Sequence, residues 1–306
     1  MTLAEHVARF VAMKQRLGYE FTTNARILAD FARFAADRNE ELLRSETALE
    51  WARTAASQPR MVRKLRTLHA LARWIHAEDP RHEVPPRDGF GRHSYRRPPP
   101  HPLSVRDIGR LLEAALELPP AGTITAPTWH CLFGLMASTG LRISEALALR
   151  LADLTRDGLV IRSTKFRKSR IVALHPTVRD ALDRYLLARR KVKTSDGHLF
   201  VLASGRPPSS RSATATFRKL AEGTGIRAPG AVRGPTPHTL RHAFAVRSLE
   251  TLGPDADPGR HMLALATYLG HAGASGTYWY LEATPVLLRG IAAAAEQTHT
   301  QGASHD

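Results

Sequence analysis

The sequence predicts a mainly α-helical protein with one small β-hairpin or sheet, divided into an all-helical N-terminal domain and an α+β second domain. Three observations carry this reading. Apolar residues recur three and four apart along most of the chain, the spacing of a helix face. One pair of runs breaks that period: Leu159-Val160-Ile161 and Arg170-Ile171-Val172-Ala173-Leu174, which flank a polar tip. Residues 89–102 bring together Gly89, Gly91, Arg96, Arg97 and four prolines without an acidic residue, a composition that resists both helix and central strand.

The helical domain spans residues 1–88. Leu3, Val7, Phe10, Val11 and Lys14 mark its first helix, and Ile27, Leu28, Phe31 and Phe34 its second. A third carries Leu49 and Trp51. A fourth, from Arg60 to Ala77, aligns Val62, Leu65, Leu68, Ala72 and Ile75 on one stripe with Arg60, Arg63, Lys64, Arg66 and Arg73 around it. After the basic linker, Ser104 caps a helix with Asp107 three residues on, and Trp129 to Ser138 is apolar almost throughout, as a buried helix would be. The hairpin follows; five of the nine residues from Arg162 to Arg170 are Arg or Lys, so its tip is expected either in solvent or against a phosphate. Helices are expected again over Pro176 to Arg190 and Ala213 to Ala221, at Pro237, and from Val286 to Glu296, where Thr284-Pro285 forms the cap. The second domain is read as 103–290, and residues 291–306 as the end of the last helix and a polar tail.

In 306 residues the formal net charge is +16, with Arg and Lys spread along most of the chain. A polyanion is the expected partner, nucleic acid ahead of an acidic membrane surface. No apolar run is long enough to span a bilayer, and Met1 to His6 carries charge where a signal peptide is apolar, so the cytoplasm or nucleoid is the expected location. The single cysteine, Cys131, falls in the apolar run and reads as a core thiol.

Chemistry concentrates between Pro237 and Tyr280. His238 and Arg241, three apart after a helix-opening proline, offer an imidazole and a cation from one face. His271 follows a glycine able to end a helix, and Thr277-Tyr278-Trp279-Tyr280 follows shortly after. Upstream, Thr139-Gly140-Leu141-Arg142 places another arginine at a loop-to-helix junction, with Glu145 as an available ion-pair partner. Two arginines converging on one point repel each other unless an anion lies between them, and planar guanidiniums match phosphate oxygens. With Lys165, His238, His271 and a phenol, the set supplies a nucleophile, an acid, a base and cationic stabilisation for phosphodiester transesterification. That chemistry needs no metal and no cofactor. A zinc site of His238, His242 and His271 is disfavoured, because two arginines beside it would oppose a dication.

These segments resemble the tyrosine recombinase (phage integrase) family. The resemblance rests on Thr139-Gly140-Leu141-Arg142-Ile143-Ser144-Glu145, the Lys165 hairpin, His238-Thr239-Leu240-Arg241-His242, Leu269-Gly270-His271 and a tyrosine nine residues later. It implies a helical core-binding domain and an α+β catalytic domain closing on double-stranded DNA. It implies also a tetramer on paired sites, with accessory recombinases in some systems. Arg142 and Arg241 would grip the scissile phosphate, Lys165 would protonate the 5′ oxygen, His238 would act on the base side, His271 would donate to the phosphate and Tyr280 would attack. Tyr278 and Lys168 are the alternatives for the tyrosine and the lysine. Lys64, Arg96, Arg97, Arg167 and Lys168 are the expected DNA contacts. A topoisomerase of type IB shares this constellation, and a non-catalytic DNA-binding module is the third reading.

Overall fold

The computed structural model describes residues 1–91, 103–162, 169–194, 197–251, 253 and 257–270. The chain divides into two units, Met1–Arg97 and Pro98–Asp306, and the fold is mainly α with one small sheet, as expected.

In the first unit four helices enclose one core: α1 (Leu3–Arg16), α2 (Thr22–Ala36), α3 (Ser45–Arg53) and α4 (Gln58–His76). Thr2 and Glu5 exchange side-chain and backbone bonds to cap α1, and proline in its first turn starts α4. The apolar stripes meet inside, where Phe10, Leu28, Phe31, Trp51, Leu65, Leu68 and Ile75 are buried. Removing such side chains from water is the main favourable contribution to this small bundle. Phe90, two residues into the expected linker, packs on this core.

The second unit is built around α6 (Thr125–Thr139). It is apolar on nearly every side, and α5 (Val105–Leu116), α7 (Ile143–Ala148), α8 (Pro176–Arg189) and α10 (Pro237–Glu250) all contact it. The Ser104 hydroxyl caps α5 through the Asp107 amide at 3.1 Å. α9 (Ser210–Gly223) starts three residues before the expected Ala213 because Ser209 and Ser212 form a cap. α11 (Pro258–Leu269) completes the described helices.

The sheet is antiparallel with order β1 (Leu154–Thr155), β2 (Gly158–Ile161), β3 (Arg170–Val172). Its register sets Leu159 opposite Val172 and Ile161 opposite Arg170. The strand β1 was not foreseen, being two residues long with no alternation to detect. β3 ends two residues short of Leu174, near the start of α8. The hairpin tip, the linker from residue 92, the 286–296 helix and the tail lie outside the described residues.

Candidate functional site

Two helix ends make the anchor. α6 stops at Gly140, whose φ of 63° is left-handed, and α11 stops at Gly270 in the same conformation. The carbonyls at such ends lack helical partners and carry the negative end of the helix dipole, so they attract cations. Arg241, five residues into α10, answers this: Nη1 donates to the Gly140 carbonyl at 2.7 Å and Nη2 to the Leu269 carbonyl at 2.8 Å. It is 1% exposed. Gly140 has no room for a side chain, because a Cβ there would fall 2.6 Å from Phe244 Cδ1 and 2.8 Å from Leu269 Cδ2. α6, α10 and α11 meet at that point.

Arg142 reaches the same place from the start of α7. Its Nη2 donates to the Gly270 carbonyl at 3.1 Å, and its Nη1 to the Leu269 carbonyl at 3.4 Å. Nη1 also pairs with Glu145 Oε1 at 2.7 Å, while the Arg142 backbone amide donates to Oε2 at 3.0 Å. Both guanidiniums, separated by 99 residues in sequence, therefore share one carbonyl, and that carbonyl lies two residues before His271.

Glu145 is the counter-charge. Burial alone would raise its pKa; hydrogen bonds from Arg170 and Arg142, with the Arg170 charge, outweigh this and hold the carboxyl below its usual range. Arg170, the first residue of β3, forks onto it through Nη1 at 3.1 Å and Nη2 at 2.9 Å. Two guanidiniums thus share one carboxylate while Arg241 adds a third cation at the same helix end, so the described part of the site keeps a positive excess suited to an anion.

His238 is exposed, one turn nearer the start of α10 than Arg241, and its ring sits edge-on to His242 with centroids 4.3 Å apart. The expected common face of His238 and Arg241 is thus split between solvent and interior, since the carbonyls at Gly140 and Leu269 draw the arginine inward. Lys165, His271, Tyr280, Tyr278, Arg96, Arg97, Arg167 and Lys168 lie outside the described residues.

Lys64 occupies a different setting from the open rim expected of it. Its ammonium pairs with Asp30 at 3.1 Å, donates to Thr54 Oγ1 at 3.0 Å and sits 4.5 Å from the Trp51 ring, with the side chain 19% exposed. The exposed cations of α4 are Arg60, Arg63, Arg66 and Arg73. Arg170 escaped sequence reasoning because a cation at the foot of a basic hairpin has no local mark; only the packing of β3 near α7 singles it out.

A small sheet set among helices, with two arginine forks brought to the end of a third helix, defines an α+β fold with a cationic site suited to an anion. Comparison with known proteins agrees. Residues 103–285 match the phage integrase family, a span that contains Lys165, His271 and Tyr280. "Putative integrase/recombinase y4rB" of Sinorhizobium fredii is 36% identical over 94% of this chain and 95% of its own. Tyrosine recombinase XerD of Brucella suis is 32% identical over 71% of this chain and 70% of its own. Among solved structures, the Tn1549 transposon integrase in complex with transposon right end DNA superposes with a TM-score of 0.66 at 19% identity, over 92% of this chain and 94% of that one. XerH bound to its palindromic difH substrate gives 0.65 at 18%, over 90% and 79%. The chain belongs to the phage integrase family, and it is an enzyme of the tyrosine recombinase type.

Proposed function

We propose that this protein is a site-specific DNA recombinase that cuts and rejoins double-stranded DNA one strand at a time, through a 3′-phosphotyrosine formed by Tyr280. The phenolic oxygen bonds to phosphorus and the bond to the 5′ oxygen breaks. His238 stands on the side where the phenol loses its proton, and Lys165 supplies one to the departing 5′ oxygen. Arg142, Arg241 and His271 hold the non-bridging oxygens as negative charge grows. The ester keeps the energy of the broken bond, so rejoining needs neither metal nor ATP.

The observation that carries this reading is the meeting of Arg142 and Arg241 on one carbonyl, two residues ahead of His271. Residues 1–88 and 103–290 would close on the duplex from two sides across the basic linker, with four copies on a pair of sites. The exposed arginines of α4, together with Arg96, Arg97, Arg167 and Lys168, would meet phosphates. The integrase/recombinase relatives favour a role in a mobile element, acting on the bacterial nucleoid in the cytoplasm. Among the described residues no helix is long and apolar enough to cross a membrane.

The test is a pool of nicked suicide duplexes of random sequence, from which covalent protein–DNA adducts are recovered under denaturing conditions and sequenced. Wild-type protein should yield adducts at the 3′ side of a recurrent site, and Tyr280→Phe none. Undiminished adducts from Tyr280→Phe would sink the assignment.

A further inference from the structure

Arg170 plays no part in the chemistry above, yet it lies against the site. Its side chain is 14% exposed and its fork holds both oxygens of Glu145, itself 8% exposed. An added Cβ on Gly270 would fall 2.8 Å from its Nη1, so it borders the same helix end that Arg142 and Arg241 grip. Among the described residues its Nε is buried without a hydrogen-bond partner, which adds to the cost of placing the guanidinium there.

The two phosphate-gripping arginines are unequal. Arg241 is enclosed and committed to two carbonyls, whereas Arg142 has a side chain 30% exposed and spends its Nη1 on Glu145. To engage a phosphate fully, Arg142 has to loosen from the carboxylate. Were Glu145 then alone, a buried anion would stand unpaired beside a reaction centre gaining negative charge, which is unfavourable on both counts.

We propose that Arg170 is a positioning residue for strand cleavage: it retains Glu145 when Arg142 turns from the carboxylate to the scissile phosphate. Glu145 is then an acceptor shared by two guanidiniums, parking Arg142 before DNA arrives and remaining neutralised by Arg170 afterwards. This rests on the recombinase reading above, and the experiment separates the two.

Single-turnover adduct formation is measured with the full chain on the duplex recovered from the suicide pool, alongside equilibrium binding of the same duplex. Arg170→Leu should slow adduct formation by about tenfold or more, the loss of a charge-assisted fork. Duplex affinity should change by less than about threefold, because most phosphate contacts lie elsewhere. In Arg170→Leu the carboxylate pairs with Arg142 alone and pins it. Adding Glu145→Gln removes that charge, so the double variant should cleave at least about threefold faster than Arg170→Leu, a rescue worth roughly 0.6 kcal/mol of barrier. A residue with a purely structural role would leave the double variant equal to or slower than the single. Should Arg170→Leu fail to fold, Arg170→Gln carries the same comparison, removing both the charge and the fork while keeping a polar side chain. Wild-type rates in the Arg170 variant, or no gain in the double variant, overturn the proposal. Absence of any adduct from wild-type protein overturns the recombinase reading first, and this proposal with it.

Discussion

Gly140→Ala offers a measurement of how tightly the site is assembled. The substitution meets two separate penalties. At φ 63° an L-residue pays for left-handed backbone, about 1 kcal/mol. The new methyl would also stand 2.6 Å from Phe244 and 2.8 Å from Leu269, contacts that force packed helices apart at a cost of about 1–3 kcal/mol. Gly122 separates the two effects, since its φ is 71° and nothing lies within 4 Å of an added Cβ. Gly122→Ala should therefore lower the melting temperature by about 2–4 °C, and Gly140→Ala by roughly 5–15 °C, at the sensitivity expected for a unit of this size. Activity sharpens the contrast. Gly140 and Leu269 carry the carbonyls that hold Arg241, so moving α10 and α11 apart should cut adduct formation in Gly140→Ala by about a hundredfold, a 1 Å misplacement being enough. Gly122→Ala should cleave as wild type. Equal melting shifts in the two variants, or wild-type cleavage by a folded Gly140→Ala, would refute the argument that α6, α10 and α11 meet without slack.

Three further outcomes follow from the same geometry. Arg241→Lys keeps the charge, but a single ammonium cannot span the Gly140 and Leu269 carbonyls, so one is left unpaired at about 1–3 kcal/mol and adduct formation should fall by two orders of magnitude or more; wild-type turnover would contradict it. Burial pushes the Cys131 thiol up to about 12, so at pH 8 a disulfide reagent should label it only after denaturation, and rapid labelling of native protein would show an open site. In the helical unit His6 and His82 are buried with rings 5.1 Å apart, and the Leu43 amide donates to His82 Nδ1 at 3.0 Å. Burial lowers both pKa values from 6.5, more than Glu78 and Asp79 restore against Arg9, Arg81 and the N-terminus. The unfolded chain therefore binds protons first, and stability should be full above about pH 6.5 and decline as pH falls below it. Thermal melts at pH 7.5 and 5.5 should show the drop, and His6→Gln should remove part of it; an unchanged slope would refute the assignment.

The periodic stripes of α1, α2 and α4 and the unbroken apolar run of α6 were legible because both are local patterns, and the caps at Ser104 and Gly270 because each needs only a few neighbouring residues. β1 was not legible, since two residues carry no period. The motif arginines could be picked out as a pair from residue type and setting, yet nothing near Arg241 in sequence says that it is buried while His238 is exposed. Lys64 shows the same limit: its place on a basic helix rim suggested an open cation, and Asp30 of α2 with Trp51 and Thr54 at the end of α3 claim it instead.

The sequence by itself determined the helical class, the positive charge, the hairpin and the chemical inventory, all of which depend on residue type and short spacing. Tertiary structure alone decided that Arg142 and Arg241 share the Leu269 carbonyl, that Gly140 leaves no space for a methyl, and that Arg170 divides Glu145 with Arg142. Those facts depend on contacts across 25 to 129 residues of chain (Glu145 to Arg170, Gly140 to Leu269), set by how helix ends and one small sheet pack together, and no local pattern encodes them.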